Sequence, residues 1–272
     1  MRNKILITPQ EMKDVLANPH GHDVVWPTAA DKALALSFTK IETFETCPRQ
    51  YAEKFIWKTV PYKETPTTRW GNQVHKAMED YVLNGKPITD KSIKPFASVG
   101  DALIAKENNL HDRGILVRPL FGEQEWACDL TMRQHSWFDN NGVFLRGKAD
   151  CGMGTQNTLF LYDYKTGKGS NPKPEQLELM GLMAMAQSNL VPPTVKKIDG
   201  TLLYLEARKT VPFSMPTVEY KERWVKWVKR AFVILDAYQR DSFPEKQSGL
   251  CRKWCDCFDC PFNGRNADGT DK

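Results

Sequence analysis

Residues 142–167 read GVFLRGKADCGMGTQNTLFLYDYKTG, and the fold follows from how that stretch alternates. The runs GVFLRGKADC (142–151) and TLFLYDYKTG (158–167) have strand-like alternation, and the turn-prone GMGTQN (152–157) joins them. They predict a β-hairpin or a pair of adjacent strands. The next segment, PEQLELMGLMAMAQ (174–187), is apolar nearly all round, which predicts a helix buried against a sheet. TLLYLEAR (201–208) predicts another strand. The class is therefore α/β, one domain with helical decoration.

Outward from this centre, GNQVHKAMEDYV (71–82) places Val74, Ala77, Met78, Tyr81 and Val82 on one helical face and runs into an Asn84-Gly85 stop. His75 and Glu79, four apart, share a flank of that helix. In SFTKIETFETCPRQYAEKFIW (37–57), Ile41, Phe44, Tyr51 and Phe55 fall at helical intervals, Pro48 opens a second short helix, and Cys47 is left at the corner. YKERWVKWVKRAFVILDAYQR (220–240) carries Trp224, Trp227, Val228, Ala231, Ile234, Leu235 and Tyr238 along one stripe. Its interleaved Lys226, Lys229 and Arg230 leave two readings, a helix that buries its tryptophans or a surface that stacks bases. Residues 86–120 are expected to be helical and carry no interpretable chemistry. Thr8-Pro9-Gln10-Glu11 has the spacing of a capped helix start, followed by turn-rich NPHGHDVVWPTAAD (18–31). The expected organisation is an N-terminal appendage (1–36), one domain (37–262) and a disordered tail (263–272).

In a strand, residues two apart share a face, so Asp163 and Lys165 of LYDYKTG project together while Tyr162 and Tyr164 point away. Asp150 ends the preceding run, and the short turn brings it beside Asp163. Two close carboxylates repel and favour a hard divalent cation such as magnesium or manganese. A lysine beside them suits orientation of a water or charge on a scissile phosphate. As a tripeptide D-x-K is common, and a surface ion pair on a strand is the plain alternative. TGKGS (166–170) lacks the residues that a phosphate-binding P-loop requires, so ATP hydrolysis is not supported.

The ordered set of a helical HxxxE, the strand GKAD, the strand DYK and the helix start PEQL resembles the PD-(D/E)XK nuclease superfamily. Within it, the set is similar to the RecB-like group of helicase-nuclease subunits, CRISPR-adaptation nucleases and phage exonucleases, over roughly residues 37–262. The resemblance implies a restriction-endonuclease-like core, a central mixed sheet flanked by helices, with a helical insertion. It also implies hydrolysis of DNA phosphodiester bonds, as an exonuclease acting on ends or single strands in recombination or repair. His75, in the G-x-x-x-H helix from Gly71, would contribute to metal binding; Asp150 and Asp163 would ligate magnesium or manganese, and Lys165 would be the catalytic lysine. Gln176 matches the first position of a Q-x-x-x-Y motif and would contact DNA or position the site, but Met180 stands where the tyrosine belongs. That departure keeps open a non-cleaving relative that only binds DNA or a protein.

Four of the seven cysteines fall in CRKWCDCFDC (251–260), with spacings unlike paired C-x2-C zinc knuckles. Several RecB-like nucleases hold a 4Fe-4S cluster with one upstream and three C-terminal cysteines. The resemblance implies that set here as Cys47, Cys251, Cys255 and Cys260, with Cys257 in surplus, and a C-terminal clasp; zinc or no metal are the alternatives. Cys128 and Cys151 read as small buried hydrophobes. Composition adds little: 38 basic against 33 acidic residues give a net charge of +5, compatible with a polyanion without requiring one. No apolar run approaches the roughly 18 residues of a membrane span, and MRNKILITPQEMKD is too weakly apolar for a secretory signal. A cytoplasmic protein of a bacterial or phage-infected cell is expected, with DNA as substrate and a helicase or recombination protein as the partner class left open.

Overall fold

The computed structural model describes residues 6–18, 20–187, 191–268 and 270–272. Strands β1 (Leu116–Cys128), β2 (Gln134–His135), β3 (Leu145–Thr155), β4 (Thr158–Lys165), β5 (Lys197–Tyr204) and β6 (Lys209–Pro216) form one mixed sheet in the order β2-β1-β3-β4-β5-β6. All neighbours are antiparallel except β4 and β5, which run parallel. The hairpin expected from GKAD and DYK is β3–β4, its strands turning at Gln156-Asn157. Its ladder runs from Gly154↔Leu159 to Cys151↔Tyr162, beyond which the strands part.

The helices are α1 (Pro9–Ala17), α2 (Phe38–Thr46), α3 (Pro48–Tyr51), α4 (Pro66–Asn84), α5 (Ala97–Asp112), α6 (Glu175–Ala186) and α7 (Tyr220–Gln239). Their ends follow the sequence. Thr8 and Glu11 close a capping box on α1, Thr65 caps α4, and Gly85 stops α4 at φ +63°, which a residue with a Cβ adopts at a cost. Cys47 sits at the corner between α2 and α3, and α3 runs into a π-helical turn at Ala52–Ile56.

Two apolar layers sandwich the sheet. On one side α6 and α7 bury Leu179, Met183, Trp224, Trp227, Val228 and Leu235 against Leu159, Leu161 and Ile198. On the other, α4 and α5 bury Val74, Met78, Leu103 and Leu110 against Cys151, Tyr162 and Tyr164. The stripe of α7 is thus core: Trp224 and Trp227 are almost wholly buried, which removes them as base-stacking groups. Cys128 and Cys151 are buried, and Met180 packs against Gly147. Among the described residues, no helix is long and apolar enough to cross a membrane.

The structure departs from the sequence reading in several places. Helix stops at Asp112 within residues 86–120, and the chain from Leu116 enters β1; Pro119 and the left-handed Glu123 (φ +46°) break the alternation that would have revealed it. β6 escaped notice because Pro212 and Pro216 interrupt it, which an edge strand tolerates. The N-terminal segment, expected as an appendage, packs on the domain: Ile7, Val15, Trp26, Leu34 and Leu36 join the α6–α7 core, and Leu36 pairs with Leu145 of β3. Residues 263–268 and 270–272, expected within a disordered tail, fold back on the cysteine segment. Asn263 Nδ2 donates to the carbonyls of Cys255 and Cys257 at 3.0 Å, and Arg265 bridges to Asp271.

Trp26 buries its indole beside Phe144 and donates Nε1–H to the Leu34 carbonyl at 2.6 Å. Trp26→Ala is expected to destabilise the whole domain by about 3–5 kcal/mol. Urea unfolding followed by circular dichroism would show a single shifted transition; an unshifted midpoint would mean that this segment lies outside the cooperative core.

Candidate active site

Where β3 and β4 part, side chains from three elements and one helix start converge. β4 supplies Asp163 and Lys165, with Lys165 Nζ 2.6 Å from Asp163 Oδ2. The residues between them, Tyr162 and Tyr164, turn into the α4–α5 core, as a period of two requires. The first turn of α6 supplies Gln176, which accepts from Lys165 Nζ at 2.9 Å through Oε1 and donates Nε2–H to Asp163 Oδ1 at 2.8 Å. The three form a closed triangle in which the amide orientation is fixed, because a donor must face the carboxylate and an acceptor the ammonium.

β3 supplies Asp150, whose Oδ2 accepts the Tyr164 backbone N–H at 2.9 Å and lies 3.3 Å from His75 Nδ1 on α4. The imidazole stands edge-on to the Tyr164 ring. All five residues singled out from sequence, His75, Asp150, Asp163, Lys165 and Gln176, therefore lie in one neighbourhood. Glu79, one turn beyond His75, pairs with Lys76 at 2.8 Å.

Two participants carried no signal in the sequence. The Tyr164 N–H is a backbone donor. Glu123 of β1 falls directly opposite Asp150, because the ladder pairs Gly122 with Cys151 and Gln124 with Ala149. The charge of Asp150 acts on Glu123, so the two carboxyl groups interact across the strands.

The electrostatics are those of a crowded anionic site. Burial, then the charge of Asp150, pushes Asp163 up to about 6, against the opposing pull of Lys165 and His75. Glu123 is raised by burial and by Asp150 and Glu79. For His75, burial opposes the charged form, but its hydrogen bond to Asp150 and the charges of Asp150 and Asp163 outweigh it and raise the imidazole.

Among the described residues, no three His, Cys, Asp or Glu side chains converge closely enough to hold a metal ion as they stand. The donor chemistry nevertheless fits a hard divalent cation: two carboxylates and an imidazole, with Asp163 Oδ2 buried and receiving no well-directed hydrogen bond. Each carboxylate leans instead on a neighbour already present, Asp163 on Lys165 and Asp150 on His75.

A second constellation lies at the chain's C-terminal end. Cys47, Cys251, Cys255, Cys257 and Cys260 all line a single cavity of about 60 Å³. Gln50 Nε2 approaches Cys255 Sγ at 4.0 Å, Arg49 pairs with Glu245, and Lys54 pairs with Asp256 at 3.6 Å, so the α2–α3 corner and the terminal segment do meet. A hydrogen bond from Cys257 lowers the Cys255 thiol to about 6 and raises Cys257.

A crystal structure of SSO0001 superposes on the chain with a TM-score of 0.41 at 9% identity, over 93% of this chain and 95% of that one. A structure from Eubacterium rectale solved under the name "Putative exonuclease" gives 0.42 at 10% identity, over 83% and 89%. No curated protein matches the chain. The sequence profile of the PD-(D/E)XK nuclease superfamily matches residues 35–265, a span that contains the whole sheet, the Asp150–Asp163–Lys165 constellation and every cysteine, and the chain accordingly belongs to that superfamily.

Proposed function

We propose that this chain is a magnesium- or manganese-dependent DNA nuclease that hydrolyses phosphodiester bonds, acting as an exonuclease on ends or single strands. The observation that carries the reading is the triangle of Asp163, Lys165 and Gln176 beside the Asp150–His75 pair. A divalent cation bound by Asp150, Asp163 and His75 would offset phosphate charge and acidify water. Lys165 is held by two partners, so its ammonium is placed before substrate arrives and needs little reorganisation to face developing negative charge. Gln176 fixes that placement. His75 orients Asp150, and the Tyr164 N–H fixes the rotamer of the same carboxylate. The aromatic floor of Tyr162 and Tyr164 keeps the site rigid from below.

With linear DNA and manganese, the wild type is expected to release nucleotides, and Lys165→Ala to lose roughly 10²–10³-fold in kcat. Absence of metal-dependent cleavage, or cleavage unaffected in Lys165→Ala, sinks the reading. A stable complex without products would instead favour the non-cleaving alternative, which the burial of Met180 at the tyrosine position of the family motif supports. Cation binding has its own readout: manganese at about 100-fold its Kd should add about 2.7 kcal/mol of stability to the wild type and far less to an Asp150→Asn/Asp163→Asn double variant. Calorimetric melting measures both.

For the cysteines, the reading is a structural 4Fe-4S cluster held by Cys47 with three of Cys251, Cys255, Cys257 and Cys260, of which Cys251, Cys255 and Cys260 are the assigned trio. The support is that all five thiols line one cavity. Anaerobically purified protein should be brown and contain iron and sulfide, and Cys47→Ser should bleach it. A colourless protein with stoichiometric zinc would replace the cluster with a zinc site.

A further inference from the structure

Away from the reacting groups, positive charge gathers where three segments of chain meet. Lys32, Lys40, Lys54 and Lys58 line one open cavity of about 470 Å³ together with Phe55 and Tyr62. Among the described residues, Lys54 alone of these four lysines has a carboxylate within ion-pair distance, Asp256 at 3.6 Å. Four ammonium groups sharing one cavity repel one another, and a polyanion is what relieves the repulsion.

The backbone here is also unusual. The π-helical turn at Ala52–Ile56 carries Lys54, and Lys58 sits at φ +57° in the left-handed region. Both are conformations that cost free energy and concentrate at functional sites. Tyr62 is 79% exposed on the rim, too exposed to be repaid by burial.

Beyond the cavity, basic residues follow one another along β3 toward the active site. Lys40 Nζ donates to the carbonyls of Ala33 and Ala35 at 2.9 and 2.6 Å. The next residue, Leu36, donates its N–H to Phe144 and accepts that of Arg146, both at 2.9 Å, so the anchored lysine lies beside the start of the strand. From there Arg146, Lys148 and Asp150 occur at intervals of two, and four residues of strand span about 13 Å, a few nucleotides. The ring of Trp137 lies 5.9 Å from both the Arg146 guanidinium and the Lys148 ammonium. Arg146 Nη2 donates to the Asp139 carbonyl at 2.5 Å, which anchors the guanidinium beside that ring. Lys148 pairs with Glu125 at 2.8 Å, but both are substantially exposed, and such a pair exchanges readily for a phosphate.

We propose that this strip, from the lysine cavity over Trp137 and along Arg146 and Lys148 to Asp150, is the path by which a single DNA strand reaches the active site. The inference rests on the nuclease reading above and specifies its substrate. Basic groups alternating with aromatic faces bind unpaired bases, whose faces are free to stack; a duplex keeps those faces hidden.

The test uses the full chain carrying Lys165→Ala, without divalent metal, and fluorescein-labelled oligothymidine or duplex in a salt series read by anisotropy. Oligothymidine should bind more tightly than duplex. Lys54→Gln/Lys58→Gln should flatten the salt dependence by about 0.7 in logarithmic slope for each phosphate no longer neutralised. Trp137→Ala should weaken binding about tenfold, the scale of one missing base stack. In the chain with Lys165 intact, the same changes should raise KM rather than lower kcat. Thermal melting matched to wild type confirms that each variant is folded, and a destabilised Trp137→Ala is replaced by Trp137→Phe, which should retain most of the affinity. Unchanged affinity and slope in folded variants, or preference for duplex, overturns the path. If binding follows the strip but no cleavage occurs, the nuclease reading fails alone; if cleavage occurs with KM indifferent to the strip, the path fails alone.

Discussion

The parallel pairing of β4 with β5 is the constraint on which the site depends. Antiparallel neighbours can be joined by a tight turn, but parallel ones need the chain to cross the sheet and start again from the same end. After Lys165 the chain must therefore leave the end of β4, run back over the sheet as α6 and enter β5 at Lys197. That route places the first turn of α6, and hence Gln176, above the end of β4 where Asp163 and Lys165 emerge. The crossing is close: a Cβ on Gly200 would lie 3.0 Å from the Leu177 Cβ, so a bare backbone lets the helix seat on β5. A helix that seats lower brings Gln176 within hydrogen-bond distance of both partners.

Burying charge at this point works against stability. Desolvating a carboxylate costs several kcal/mol unless it is well paired, and Asp163 shares its surroundings with Asp150, whose charge also acts on Glu123. The fold contains the cost by putting polar groups only where the two apolar layers stop short of each other. On one side Leu159 and Leu161 continue the α6–α7 core, on the other Tyr162 and Tyr164 continue the α4–α5 core, and the charged cluster occupies the gap where the β3–β4 ladder ends at Cys151↔Tyr162. Lys165 and Gln176 then supply the partners that water would have supplied.

The sequence made the centre of this arrangement readable because strand and helix periods act locally. Alternation revealed the β3–β4 hairpin and put Asp163 with Lys165; caps and stops located α1, α2 and α4; an all-apolar run marked α6 as buried. What escaped depends on partners distant in the chain. β1 shifts register between Leu116 and Phe121, around Pro119, and turns left-handed at Glu123, so its pairing with β3 is a property of the ladder and not of its own pattern. Glu123 reaches Asp150 only through that register. The burial of Trp26 and Leu36 needs β3 and α7 to be in place, and the lysine cavity is assembled from residues 32, 40, 54 and 58 that share no periodicity.

Helix α2 ties these separate regions into one mechanical unit. At one flank Glu42 pairs with Lys173 in the segment leading to α6, and so braces the turn that carries Gln176. At its end Glu45 receives Arg230 from α7 at 2.6 and 2.7 Å through its side chain and Lys246 at 2.6 Å through its carbonyl. Cys47 follows at once and opens onto the cavity of C-terminal thiols, while Lys40 on the same helix helps to line the basic cavity. Lys54, which reaches both that cavity and Asp256, closes the circuit. A ligand that drew the thiols of the cysteine segment together would fix the corner at Cys47, and through α2 it would fix the spacing between the basic cavity and the helix start that positions Lys165.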